Sequence, residues 1–344
     1  LTRENTPCGV FFAHPARALF LCVSPIRLDT AARILYNKTD NVSTKRKDTA
    51  MRISTQTDFL AEAFGIREAI RMIAAAGTDA FDLALFEISD TNPLFAPGWE
   101  AYIDELKQIA ADAGVVCNQA HAPFPSRHTE DKAHAAYNER IFDLITRSVE
   151  GAARLGASVI VVHPIQNLVY WKRDNARRLF DVNMDFYRAL APVARRAGIR
   201  IAVENMWQVK DGHICDSTCA SPEEFAAYLD TLADDCFTGC LDLGHCGLCG
   251  RPAEDVIRAL GASHIGALHI HDNTGLDDSH TLPYNGVMNW NNITAALGEI
   301  GYPGDFTYEA DSYLYAVPRE LVPTALRYML DIAAALVKKI DAAR

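Results

Sequence analysis

The residues able to do chemistry recur in one setting: an acid or an imidazole closing a short apolar run. His121 ends Asn-Gln-Ala-His, His163 ends Val-Ile-Val-Val-His and Glu204 ends Ile-Ala-Val-Glu. Asp242 ends Cys-Leu-Asp, with His245 three residues on; His269 and His271 lie in Leu-His-Ile-His-Asp, and Glu309 ends Thr-Tyr-Glu. Asp278 and His280 follow in DSHTLPYNG. Singly, each has a bland explanation. A strand-end His is usually a hydrogen-bonded structural residue, and a lone Asp can be a helix N-cap. Together they are costly, because acids and imidazoles gathered on one rim repel or stay unpaired unless a divalent cation neutralises them. Oxygen and nitrogen donors without thiolate favour Mn²⁺, Mg²⁺, Co²⁺ or Zn²⁺. No organic cofactor is expected.

These residues need elements that deliver them to one place. Short apolar runs alternate with longer amphipathic segments from Met51 onward, the pattern of βα units and a parallel sheet. The expected strands are Arg52–Thr55, Ala80–Phe86, Val115–His121, Ser158–His163, Arg200–Glu204, Phe237–Asp242, Ile265–His271 and Asp305–Glu309. Helices are expected over Arg67–Ala76, Trp99–Ala113, Asn138–Leu155, Asn175–Ala197, Pro222–Leu232, Ala253–Leu260, Asn291–Ile300 and Arg319–Lys339. Gly114, Gly156, Gly198 and Gly261 sit where left-handed C-caps belong. Eight such units match an α/β (β/α)₈ TIM barrel forming a single domain, which builds its chemistry at the C-terminal strand ends. A doubly wound open sheet is the runner-up. It calls for a Gly-rich turn after the first strand, and Ser54–Asp58 runs straight into Phe59 instead.

Composition narrows the function classes. The 344 residues are 49% apolar and 22% charged, ordinary for a globular protein, and no apolar run is long enough for a membrane-spanning helix. Residues 1–50 hold eight Lys/Arg against four Asp/Glu, a net of +4; the remaining 294 hold 25 against 40, a net of −15. That sign makes nucleic acid an unfavoured partner. The polar stretch Asn37–Ala50 reads as a linker or tail, so residues 1–50 are expected to be a poorly structured N-terminal extension, with the barrel over 51–344. Nine irregularly spaced cysteines read as reduced cytoplasmic thiols. Cys246 and Cys249 have CxxC spacing, but a structural zinc site would want a second such pair.

The motifs HAPF at His121, VVHP at His163, AVEN at Glu204, LDLGH at Asp242–His245, LHIHDN at His269–Asn273, DSHTLPYNG at Asp278–Gly286 and YEA at Glu309 occur in this order. The combination resembles the xylose isomerase-like TIM-barrel superfamily, which holds sugar phosphate isomerases, epimerases and endonuclease IV-like enzymes. The resemblance covers residues 51–344. In the epimerase branch it implies that Glu204, Asp242, His269 and Glu309 hold one divalent metal, that Glu204 and Glu309 form the acid/base pair, and that His245 contacts the substrate. Such an enzyme would be a sugar or sugar-phosphate isomerase or epimerase, removing a carbon-bound proton to form a metal-stabilised enediolate. His121, His163, His271, Trp207, Asp278 and His280 are then candidate substrate contacts. Phe124, Trp207 and Trp290 are candidate pocket walls, although such aromatics more often pack.

Two other activities fit the same motifs. The trinuclear zinc nuclease branch uses nine positions, and all have a match here: His121, His163, Glu204, Asp242, His245, His269, Asp278, His280 and Glu309. The −15 charge and the Pro-Tyr-x-Gly…Asn-Trp run over 283–290 weigh toward the sugar enzymes. Related barrels also dehydrate sugars or cleave C–C and C-glycoside bonds after a similar proton removal, and fold alone does not choose among these. A basic cluster at Lys172, Arg173, Arg177 and Arg178 is either a solvated helix start or a phosphate clamp. The expected partner is a small carbohydrate, and homo-oligomerisation through the outer helices stays open.

Overall fold

The structure, a computed structural model, describes residues 51–89, 91–126, 134–172 and 174–344. The expected extension over residues 1–50 lies outside the described residues, as does Arg173 of the basic cluster.

The strands are β1 (Ile53–Gln56), β2 (Ala80–Ala84), β3 (Val116–His121), β4 (Val159–Val162), β5 (Arg200–Glu204), β6 (Trp207–Lys210), β7 (His213–Asp216), β8 (Phe237–Asp242), β9 (Ile265–His269) and β10 (Phe306–Tyr308). Eight of them pair in parallel in the order β10-β1-β2-β3-β4-β5-β8-β9. The ring closes just beyond β9: the Ile270 N–H donates to the Thr307 carbonyl at 3.0 Å and the Glu309 N–H donates to the Ile270 carbonyl at 3.2 Å. Closure makes this a (β/α)₈ barrel and excludes the open doubly wound sheet. The eight expected helices form, at Ile66–Ala76, Trp99–Ala113, Ala135–Leu155, Asn175–Ala197, Pro222–Leu232, Ala253–His264, Trp290–Glu299 and Val322–Ala342. They differ from expectation only at their ends.

Several short elements were not expected. Strands β6 and β7 form an antiparallel hairpin beyond β5, turning at Asp211-Gly212, both with positive φ (50° and 79°). Asp-Gly is the dipeptide such tight turns favour. Helices Asp58–Phe64 and Leu243–Leu248 are too short for a periodicity argument. The second holds together because the Asp242 side chain caps it, accepting from the His245 N–H at 2.7 Å.

The main hydrophobic core lies between strands and helices. Inside the ring there is only a small apolar layer of Val159, Val161, Ala202, Cys240 and Ala267. Strand side chains alternate faces, so the next inward position on each strand is fixed by counting two. From Val161 this gives His163, from Ala202 Glu204, from Cys240 Asp242 and from Ala267 His269. The chemistry-bearing residues are therefore the top layer of inward-facing positions. Below, the barrel is polar: Ser54 Oγ donates to Asn118 Oδ1 at 2.8 Å, and Asn118 Nδ2 donates to Asp305 Oδ2 at 3.0 Å. Asn118 is the extra residue of a register shift between β2 and β3. None of the helices described is long and apolar enough to cross a membrane.

Candidate metal centre

Glu204, Asp242, His269 and Glu309, the four expected ligands, each offer a ligand atom within 4.8 Å of the others, and all four are buried. His269 Nδ1 lies 2.9 Å from Glu204 Oε1, 2.8 Å from Glu309 Oε2 and 3.9 Å from Asp242 Oδ2. One nitrogen thus faces three carboxylates. His121 and His163 join from the other side of Glu204: their Nε2 atoms are 3.5 and 3.0 Å from Glu204 Oε2 and 3.1 Å from each other. Even so, Glu204 Oε2 makes no hydrogen bond of adequate geometry. A buried carboxylate oxygen ringed by nitrogens yet unsatisfied is costly, and a cation among these donors would remove the cost. The residues fit a divalent metal on this ground.

Electrostatics follow the packing. Burial pushes the Glu204 carboxyl up, but His269 and then the close imidazoles of His163 and His121 outweigh it and hold Glu204 well below the usual carboxylate range. Glu309 is likewise lowered, against its burial, chiefly by His269 and then His280. Both are therefore ionised at neutral pH. His163 is lowered, by burial first and against the pull of Glu204.

A second set lies on loops next to the first. His245, from the short helix after β8, puts Nε2 3.3 Å from Asp278 Oδ2, and His280 Nε2 is 3.1 Å from the same oxygen. Trp207 Nε1 donates to it at 3.2 Å. The charges of His280 and His245 hold Asp278 well below the carboxylate range despite its burial. Burial lowers His280, yet Asp278 brings it up to about 10. His280 adopts a positive φ of 40°, a strained conformation for a non-glycine residue.

Not every expected substrate contact faces the opening. Asp278, His280 and Trp207 are partly exposed, while His121 is buried within the ligand set. His271 is fully buried, with Nε2 turned to Asp242 at 3.0 and 3.1 Å from its two oxygens. Of the aromatics, Phe124 is 41% exposed and stacks on His163 at 4.6 Å, so it walls the mouth. Trp290 is a packing residue, buried and donating to Asp272 Oδ2 at 2.7 Å. In the basic cluster Arg177 pairs with Asp181 at 3.0 Å and Arg178 reaches Asn175 at 3.5 Å, the behaviour of a solvated helix start. No cysteine joins any metal-capable set among the described residues, and Cys246 is turned onto the Asp242 carbonyl at 3.2 Å.

Residues that were not among the expected site residues complete the centre. Gln56 Nε2 donates to Glu309 Oε1 at 3.1 Å. Asn205 clamps β8, accepting from the Asp242 N–H at 2.7 Å and donating to its carbonyl at 3.0 Å. Asp82 lies fully buried 3.9 Å from His269 Nε2, its carboxyl pushed up to about 6 by burial against the pull of His269 and His121. Its signal was available: an acid in the middle of the apolar run Ala-Phe-Asp-Leu-Ala cannot face the outer core.

A model of the xylose isomerase-like TIM barrel matches residues 70–332. The chain belongs to that family. Among curated proteins the chain is similar to the uncharacterized protein MJ1311 of Methanocaldococcus jannaschii, 28% identical over 259 residues, covering 73% of this chain and 80% of the relative. Among solved structures, a D-tagatose 3-epimerase-like protein superposes with a TM-score of 0.64 at 20% identity, covering 84% of this chain and 99% of that one. A D-psicose 3-epimerase solved with D-fructose (TM-score 0.65, 17% identity, 83% and 99% covered) and the Escherichia coli 3-keto-D-glucoside 4-epimerase YcjR (0.62, 19%, 83% and 99%) share the barrel. At these identities the likeness is one of fold.

Proposed function

We propose that the protein is a divalent-metal-dependent sugar or sugar-phosphate isomerase or epimerase of the cytoplasm. One observation carries this reading: two carboxylates, Glu204 and Glu309, flank the same small space from strands three apart in the ring, each within 2.9 Å of His269 Nδ1. Sugar epimerases among the superposable structures support the same class.

Glu204, Asp242, His269 and Glu309 would hold the metal, which when bound supplies a Lewis acid to polarise two adjacent substrate oxygens. One glutamate accepts a carbon-bound proton from one face of the sugar, and the other delivers a proton to the opposite face. His245, Asp278 and Trp207 line the loop side, where their N–H groups and carboxylate orient hydroxyls. Phe124 offers its ring face at the mouth to the apolar face of a sugar. Dehydration or C-glycoside cleavage would begin with the same proton removal.

Solvent exchange tests the reading. Metal-loaded protein incubated in D₂O with a panel of ketoses and aldoses, free and phosphorylated, should place deuterium on a carbon next to a carbonyl. Absence of exchange across the panel would overturn it.

A zinc phosphodiesterase is the second reading, and one observation favours it. His121/His163/Glu204, Glu204/Asp242/His269/Glu309 and His245/His271/Asp278/His280 all assemble as metal-capable sets. The net charge of −15 over residues 51–344 opposes a polyanionic substrate.

A further inference from the structure

We infer that His271 is a positioning residue for the metal centre: its Nε2–H fixes the Asp242 carboxylate. Gly244 is a glycine so that the His271 ring can lie where it does. The inference rests on the metal reading given above and adds a residue to it.

His271 is fully buried, and its Nε2 is turned onto Asp242. Its Nε2 sits 3.0 Å from Asp242 Oδ1 and 3.1 Å from Oδ2, astride the carboxylate. Nδ1 has no partner. That asymmetry settles the tautomer. A proton on Nδ1 would bury an unpaired N–H and set a bare Nε2 lone pair against carboxylate oxygens; a proton on Nε2 satisfies the carboxylate and leaves only a weak acceptor unmatched.

The surroundings hold the ring in this pose. A Cβ on Gly244 would overlap the imidazole, so any larger residue there would displace it. The Gly244 carbonyl is itself tied down, accepting from Asn273 Nδ2 at 2.9 Å. On its other face the ring stacks on His280, with centroids 4.0 Å apart and planes 11° from parallel.

Asp242 has two duties, and His271 makes them compatible. Its Oδ1 caps the short helix through the His245 N–H at 2.7 Å. Oδ2 points toward the ligand set, 3.9 Å from His269 Nδ1. Without an external donor the carboxylate could rotate about its terminal torsion, which is soft for Asp. A donor astride both oxygens fixes that torsion before a metal arrives. Nε2 also comes within 3.9 Å of Asp278 Oδ1 in the loop set. A nitrogen that donates to Asp242 has no lone pair left for a metal there, so His271 is a support rather than a ligand.

The test is the affinity for Mn²⁺, measured by chelator competition on the full chain, with melting temperatures of the metal-free proteins alongside. His271→Leu should bind Mn²⁺ about 10–100-fold more weakly, the usual effect of removing a residue that orients a ligand. His271→Gln, which keeps an N–H donor, should stay within about threefold of wild type. Equal losses in both variants, or no loss in His271→Leu, overturn the assignment. Should His271→Leu fail to fold, ¹⁵N-imidazole spectra of the wild type decide: the assignment requires His271 protonated at Nε2 with and without Mn²⁺, and a proton at Nδ1 overturns it. Asp242→Asn reports on the underlying reading. If wild type binds Mn²⁺ and Asp242→Asn binds equally well, the metal reading fails, whatever His271 does.

Discussion

The strand-end set and the loop set stand side by side and differ in how they are built. Glu204, Asp242 and His269 are the inward positions of consecutive barrel strands, with Glu309 just past β10, and three of the four are within 1% of full burial. His245, Asp278 and His280 come from a six-residue helix and a long loop, and Asp278 and His280 keep 19% and 23% of their side-chain surface exposed. The strand set leaves Glu204 Oε2 and His269 Nε2 unsatisfied. On the loop, Asp278 Oδ2 is met by His245, His280 and Trp207, while its Oδ1 is left without a hydrogen-bond partner. Donors held on a rigid scaffold and still short of partners suit a resident cation. Partly exposed donors on a loop suit a ligand that comes and goes.

The largest expected effect separates the two sets. Glu204→Gln or Glu309→Gln should lower turnover by about 10³-fold, within the range of lost acid/base catalysis, with an unchanged circular dichroism spectrum. Full activity in either variant would break the acid/base assignment. On the loop, Asp278→Asn should raise KM so that kcat/KM falls about 10–100-fold, the scale of a charged hydrogen bond, with metal content unchanged. A loss of metal from Asp278→Asn would place a second ion on the loop and revive the phosphodiesterase reading.

The two sets were not equally legible in the sequence. Eight strands and eight helices followed from periodicity and turn residues, and the strand-end candidate ligands were picked out by where each apolar run stopped, because inward parity ties Glu204 to Ala202 and His269 to Ala267. The loop set was legible only through its motif. Nothing in residue types predicts that Asp272 organises that loop by accepting from the Tyr284 and Met288 N–H groups and Trp290 Nε1. His271 shows the limit most clearly. Sequence placed it beside His269 as a substrate contact, but only coordinates reveal that Gly244 makes room for it behind Asp242. The β6–β7 hairpin was missed although its Asp-Gly turn was in view, since the barrel template leaves no place for it.

A smaller effect sharpens the contrast through pH. Asp82 has its carboxyl pushed up from 3.8 to about 6, so its ionisation costs the fold. Metal-free wild type should lose stability as pH rises from about 4 to 6, by on the order of 3 kcal/mol relative to Asp82→Asn, and the difference should be flat above that window. Urea denaturation of both proteins across this range checks it. The smallest effect belongs to the basic helix start. Arg177→Ala should change stability by less than about 0.5 kcal/mol and leave kcat/KM unmoved on a phosphorylated sugar. A marked rise in KM there would restore the phosphate clamp.

Metal content per chain tests the central claim most directly, measured by elemental mass spectrometry on protein purified at neutral pH and reloaded with Mn²⁺, Co²⁺ or Zn²⁺. About one ion per chain, lost in Asp242→Asn and kept in Asp278→Asn, is the predicted result. Three zinc ions per chain, or none after reloading, would contradict it.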